Sequence, residues 1–186
     1  MGLFYKVTPK KLLQVRNEIF VKYGIPALQK NGFNESPFKG MWFGKYDANS
    51  YIYHLCRSGN GSYLETITTY ISKGDNWINI NLNVFKLSPE LKSLEQLKGL
   101  NGIQYFLPPD SITEMRLRED DFKGMPLFNI VHHKIKSFYT ERGFHDRVNE
   151  LSSLIEKDLN NIDSFIKRWH ELHKPMVTDW EGKKVE

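Results

Sequence analysis

The chain has 186 residues, of which 40% are hydrophobic, 26% charged and 13% aromatic, with a formal net charge of +4. This composition excludes a disordered segment, and a chain of this length buries roughly 70% of its unfolded surface, enough for one core without staples. The single cysteine, Cys56, excludes an intramolecular disulfide and a multi-cysteine zinc site, and no apolar run approaches the roughly 18 residues of a membrane span.

The lysines near the start, Lys6, Lys10 and Lys11, are not followed by the apolar stretch of a signal peptide, so the expected setting is cytoplasmic with no membrane partner. Charge is uneven. Up to Lys45 there are eight basic residues, Arg16 and Lys22 among them, against Glu18 and Glu35. Such a basic first quarter suits nucleic acid or an acidic protein, although a solvated lysine-rich helix face accounts for it with fewer assumptions.

Thr8 and Pro9 start the first helix, because threonine caps free backbone N–H groups and proline at the first helical position has none to leave unpaired. Leu12, Val15, Ile19, Phe20 and Tyr23 recur at helical spacing up to Gly24, with Pro26 beyond it, which predicts a helix over 9–23. Residues 25–39, punctuated by Pro26, Gly32 and Pro37, read as a connection with one turn of helix.

A strand is expected at Met41, Trp42 and Phe43. Three further runs, Tyr51–Arg57, Tyr63–Ile71 and Trp77–Leu87, are separated by Asn60-Gly61 and Gly74-Asp75, dipeptides that suit two-residue hairpin turns. Turning at Gly74-Asp75 sets Ile71 against Ile78, Thr69 against Ile80 and Ile67 against Leu82. Turning at Asn60-Gly61 sets Ile52 against Thr69, His54 against Ile67 and Cys56 against Glu65. On this register Ile52, His54, Cys56, Ile67, Ile71, Ile78, Ile80, Leu82 and Val84 form the core face. Tyr51, Tyr53, Arg57, Thr66, Thr68, Tyr70, Trp77, Asn79, Asn81, Asn83 and Phe85, together with Leu55 and Leu64, share the opposite, wetter face, since asparagines at alternate strand positions must meet something polar.

After Pro89, Leu94–Leu97 reads as a short helix, Gly99 and Gly102 as turns, and Ile103–Leu107 and Ile112–Arg118 as strands. Phe128–Tyr139 is a helix or a strand. From Asp146 to about His173, Val148, Leu151, Ile155, Leu159, Ile162, Ile166 and Trp169 recur at steps of three or four, which predicts one helix of about 40 Å. The expected fold is a single α+β domain over 1–186. An antiparallel meander of at least three to five strands carries an N-terminal helix and a long C-terminal helix packed on the sheet.

Three stretches, Leu28-Gln29-Lys30-Asn31-Gly32-Phe33, Trp42-Phe43-Gly44-Lys45 and Asn81-Leu82-Asn83-Val84-Phe85, resemble an uncharacterised family of bacterial domains of unknown function. Its pattern is an amphipathic helix, an L-x-K-x-G-F-like element, an aromatic strand and an antiparallel meander. The resemblance covers the first half of the chain and implies no established activity. By analogy with small bacterial domains of this kind, it implies an immunity-like antagonist of a partner protein.

Six histidines invite a metal or catalytic reading, which their spacing does not favour. His170 and His173 stand three apart rather than in the four-residue H-E-x-x-H arrangement, and the adjacent His132 and His133 point to different sides. His54 and Cys56 share a strand face, but among isoleucines a thiol is deactivated. No catalytic residue, metal ligand or cofactor is therefore assigned. The expected binding residues are Tyr51, Tyr53, Arg57, Tyr70, Trp77, Asn79, Asn81 and Phe85, an aromatic face with amide and guanidinium groups that suits a protein partner. The first alternative is a nucleic-acid-binding domain using that face with the basic first helix. The second is a small metal-dependent or hydrolytic enzyme, and an internal layer that simply covers the aromatics is the competing explanation.

Overall fold

The computed structural model describes residues 5–60, 62–121, 130–135, 138 and 140–185. Helix α1 (Pro9–Ile19) starts where Thr8 accepts a hydrogen bond from the Lys11 N–H, and it runs directly into a wider π-helical turn (Phe20–Gly24) and α2 (Ile25–Lys30). Gly24 therefore does not end the helix. A side chain there would meet the Phe20 ring at 2.6 Å, so the glycine serves close packing, and the widened turn carries the chain past Pro26, which has no N–H to give.

The strands are β1 (Asn34–Glu35), β2 (Phe43–Asp47), β3 (Ser50–Gly59), β4 (Tyr63–Ser72), β5 (Asn79–Leu87), β6 (Met115–Arg116) and β7 (Met176–Thr178). β3, β4 and β5 form the expected antiparallel meander; β1 and β2 line the free edge of β3, and β6 and β7 line that of β5. Among the described strands only β7 runs parallel to its neighbour, a pairing for which three residues give no periodicity. The β4–β5 register is the predicted one, with Thr69 opposite Ile80 and Ile67 opposite Leu82.

The β3–β4 register is shifted by one residue. Gly59 pairs with Tyr63, so the loop holds three residues, 60–62, and Leu55 rather than His54 faces Ile67. An odd loop reverses the parity of the whole strand. Tyr51, Tyr53, Leu55 and Arg57 thus share a face with Ile67, Ile71, Ile80 and Leu82, while Ile52, His54 and Cys56 share the other with Thr68, Tyr70, Asn79, Asn81 and Asn83.

Helices cover the first face. Leu13, Val15, Ile19, Phe20, Ile25 and Leu28 meet Tyr53, Leu55, Ile67, Ile71, Ile80 and Leu82 there, joined by helix residues from the C-terminal part. That part is two helices rather than one rod: α3 (Glu141–Asn160) and α4 (Ile162–Leu172), broken at Asn161. The Asn31 amide donates to the carbonyls of Leu159 and Asn160 and so closes the end of α3. Arg16, counted above among surface charges, is fully buried and donates to the carbonyls of Leu12, Ser72 and Trp77, tying α1 to the β4–β5 connection.

Half of the second face is roofed. Phe38, Leu91, Leu97, Ile103 and Tyr105 pack on Cys56, Leu64, Phe85 and Leu87. Gly102 makes this roof close, with φ of +80° and the Phe38 ring only 2.2 Å from where a Cβ would stand. Leu94–Leu97 is the expected helical turn. Ile103–Leu107 is not a strand but part of the roof, and of Ile112–Arg118 only β6 is strand, preceded by a helical turn at Asp110–Thr113. Residues 130–135 form neither a helix nor a strand, with a bend at His133 and Lys134 bridged to Trp77; the rest of the Phe128–Tyr139 expectation, apart from Phe138, lies outside the described residues.

Candidate functional site

The other half of the second face is open. There the floor of a cavity of about 570 Å³ is made by Ile52 and His54 of β3, Thr68 and Tyr70 of β4, and Asn79 and Asn81 of β5. Trp42, Tyr46 and Phe106 stand around it as walls, and Glu114, Arg116 and Asp120 close the β6 side. Such a volume is that of a small-molecule site, and a largely apolar wall with a few convergent polar groups is the usual composition of one.

Strand alternation places these side chains. Trp42 and Tyr46 lie on either side of Gly44 in sequence, and their rings meet edge to face at 4.9 Å. They are 48% exposed each, Tyr70 is 40% and Phe106 52%, so four rings face solvent around one cavity. An exposed aromatic patch is the kind of surface that interaction sites use.

His54 is buried on the floor, with Nδ1 3.2 Å from the Thr68 hydroxyl and its ring against Tyr105 and Phe106. Burial pushes its pKa down to about 4, so the ring is neutral at pH 7. Glu114 moves the other way. Burial, reinforced by the Asp120 charge and opposed by an Asn81 hydrogen bond and Arg116, pushes its carboxyl up to about 7. Arg116 is otherwise occupied: Nε meets Glu119 at 2.9 Å, Nη1 donates to Asn79 Oδ1 at 3.3 Å, and the guanidinium lies over Trp77.

The eight residues expected to form one binding face fall into separate places. Tyr70, Asn79 and Asn81 do line the cavity. Trp77 is half-buried beside it, held by Arg116, Lys134 and His132. Phe85 is fully buried under the roof against Tyr105. Tyr51, Tyr53 and Arg57 lie on the helix-covered face because of the register shift. Tyr53 is only 4% exposed and donates to Asn17 Oδ1 of α1, while Arg57 is consumed by Glu65, the Asn31 carbonyl and Asp163.

The expectations for His54 and Cys56 also change face. Neither lies among the isoleucines under the helices: His54 floors the cavity, and Cys56 is buried under the roof, where burial pushes its thiol up to about 12. Sequence reasoning missed Trp42, Tyr46, Phe106, Glu114 and Asp120. The alternation of Trp42, Gly44 and Tyr46 was the available signal for the first two, and Ile112, Glu114 and Arg116 at alternate positions for the β6 side. Among the described residues, no three His, Cys, Asp or Glu side chains are grouped as a metal would require, and no helix is long and apolar enough to cross a membrane. Comparison with protein-family models finds no match, and comparison with curated proteins and with solved structures finds no significant one.

Proposed function

We propose that this is a binding protein whose working surface is the open half of the sheet, and that the cavity over Ile52, His54 and Thr68 receives a small organic group. The observation that carries this reading is the ring of four solvent-facing aromatics around a cavity of ligand size, on a face whose other half the same fold roofs completely. An aromatic wall contributes by losing water when the ligand arrives, and only exposed rings can do so. A partner protein presenting a side chain and a free small molecule would use the cavity in the same way.

The nucleic-acid alternative required the basic first helix and the aromatic face on one surface. α1 packs on the opposite side of the sheet, beside Tyr53, so that composite surface is not assembled. A proton-transfer enzyme is the second reading, favoured by the place of Glu114 on the cavity, where burial pushes its carboxyl up to about 7 and so toward the range of a general acid or base. Cys56 does not serve it as a nucleophile, since that thiol is buried elsewhere and protonated.

Chemical-shift mapping of the ¹⁵N-labelled protein against a small-molecule fragment set tests the proposal. The expected result is that binders perturb Trp42, Tyr46, Tyr70 and Asn81 together, and that Tyr70→Ala weakens them. Binders that all map elsewhere, or none in a set of several hundred, would remove the cavity as the working surface.

A further inference from the structure

We propose that the group this cavity receives is an organic cation, an ammonium carrying apolar substituents, held by Glu114 and Asp120 with its substituents against the faces of Trp42, Tyr46, Tyr70 and Phe106. This rests on the reading of the cavity as a binding site and names its ligand class.

The charge balance of the lining gives the sign. Glu114, Asp120 and Arg116 are its charged residues, and Arg116 already answers Glu119 and Asn79 and covers Trp77. Glu114 takes part in none of the ion pairs among the described residues, and the Asp120 carboxylate accepts only the Arg116 backbone N–H there. Glu114 is half-buried in the cavity and Asp120 exposed at its rim, and the one basic group on the lining, Arg116, is shared with Glu119 and Asn79, so an anionic ligand would meet the two carboxyl groups unfavourably. The protein as a whole is positive, so its long-range field does not draw cations, and the attraction has to be local.

The rings supply the rest. An aromatic face carries the negative side of a quadrupole and attracts an ammonium placed over it, most strongly where water is excluded. Trp42 and Tyr46, perpendicular at 4.9 Å, form one corner, while Tyr70 and Phe106 stand on the same cavity. A hard metal ion fits poorly. Calcium takes six to eight oxygens at short distance and magnesium six, whereas this wall is mostly rings and the cavity far exceeds a bare ion. A neutral sugar or base would stack on the rings but make no use of the two acids.

Proton linkage follows from the same groups. The titratable or charged residues on the cavity are Glu114, Asp120, Arg116, His54, Tyr46 and Tyr70, with Glu119 paired to Arg116 behind it. His54 is neutral above about pH 4 and does not compete. Because Glu114 holds its proton up to about pH 7, a cation that draws it into the ionised form releases that proton, and affinity rises with pH from 6 to 8.

Isothermal titration calorimetry of the full chain with tetramethylammonium, choline, benzyltrimethylammonium and trimethyl-lysine amide tests this beside a neutral arm of 3,3-dimethylbutan-1-ol and benzyl alcohol. At least one cation should bind about ten-fold more tightly than its neutral isostere, with proton release at pH 7 and mapping to Trp42 and Tyr46. Glu114→Gln should remove that preference while leaving the neutral compounds unchanged, and Asp120→Asn should reduce it. Preference for trimethyl-lysine amide would place the cation on a partner's side chain, and preference for choline on a free molecule. Neutral compounds binding the cavity as well as the cations, or a Glu114→Gln protein indifferent to charge, overturns the cation class and leaves the cavity reading standing. Failure of every cation while fragments of other classes map to the cavity does the same. Failure of all classes overturns both.

Discussion

Replacing Asp158 by asparagine should cost roughly 3–5 kcal/mol at pH 7, the loss expected when one partner of a buried ionic cluster is removed. Asp158 lies on α3 with its side chain 4% exposed. It accepts from Arg118 Nε at 2.7 Å and Nη2 at 2.6 Å, and its Oδ2 lies 2.7 Å from Nε2 of His133, which is 1% exposed. Three contacts therefore join α3 to the turn after β6 and to the segment before residue 136. Asparagine keeps the shape but turns an N–H₂ group toward donors, which breaks the fork and leaves the Arg118 guanidinium only 22% exposed and without its counter-charge.

The pH dependence of Asp158 has a definite sign. Burial alone would raise its carboxyl, but hydrogen bonds from Arg118 and His133 outweigh it, and the folded pKa lies below the ordinary value. A depressed acid stabilises the fold fully above its unfolded pKa of about 3.9, and that contribution fades as pH falls through the folded value. Urea denaturation from pH 7 to 2.5 should therefore show a wide gap between the native protein and Asp158→Asn at pH 7 that narrows below about pH 4. A loss under 1 kcal/mol at pH 7, or a gap unchanged down to pH 2.5, would refute the cluster as a structural clamp.

Three further outcomes are expected. Leu55→Ala should cost about 2–5 kcal/mol as a large-to-small change under the helices, and Ile52→Ala under about 1 because Ile52 lines an open cavity; equal losses in denaturant melts would restore the unshifted β3–β4 register. Glu114→Gln should melt higher than the native protein at pH 8 and equally at pH 4. A raised acid binds its proton more tightly when folded, so the stability it lends is present below about pH 4 and is lost as pH rises through about 7. Cys56, buried and held protonated, should react with a thiol-specific disulfide reagent only at the rate of unfolding; fast labelling in native buffer would contradict its place under the roof.

The start of α1, the three long strands and the β4–β5 register were legible because each rests on local signals that tertiary packing did not override. Thr8 and Pro9, and the matched apolar residues of Ile67 with Leu82, are of this kind. The β3 face was misread for an equally local reason. Asn60 takes a positive φ of 54° as a hairpin turn demands, yet the loop has three residues, and the observed register sets Leu55 rather than His54 opposite Ile67. With Leu55 and His54 both plausible on either face, periodicity could not decide. The break at Asn161 was hidden because Leu159, Ile162 and Ile166 keep helical spacing across it. The cavity escaped because its acids, Glu114 and Asp120, flank β6, a strand of two residues, and its walls come from Trp42 and Phe106, whose approach depends on long-range pairing.

The asparagines of β5 show where the roof must stop, and they give the last prediction. Asn79, Asn81 and Asn83 share one strand face, and each poses the same difficulty of a polar amide over a sheet. Asn83 can be roofed because its amide is fully answered: Nδ2 donates to the Asp110 carbonyl at 2.6 Å, and Oδ1 accepts from Val84 N–H and the Thr113 hydroxyl. Those bonds are what let the Asp110–Thr113 turn sit on the sheet. Asn81, half-exposed, is set beside Glu114, and the roof ends before it. Asn83→Ala should therefore cost about 1–3 kcal/mol by leaving the Asp110 carbonyl and the Thr113 hydroxyl with a lost partner, whereas Asn81→Ala should stay within about 0.5 kcal/mol and alter ligand binding instead. Hydrogen exchange on Asn83→Ala should report the same loss locally, as faster exchange in 103–113 than in the helices. Equal destabilisation by the two substitutions would mean that the roof extends over Asn81 and that the cavity is not open in solution.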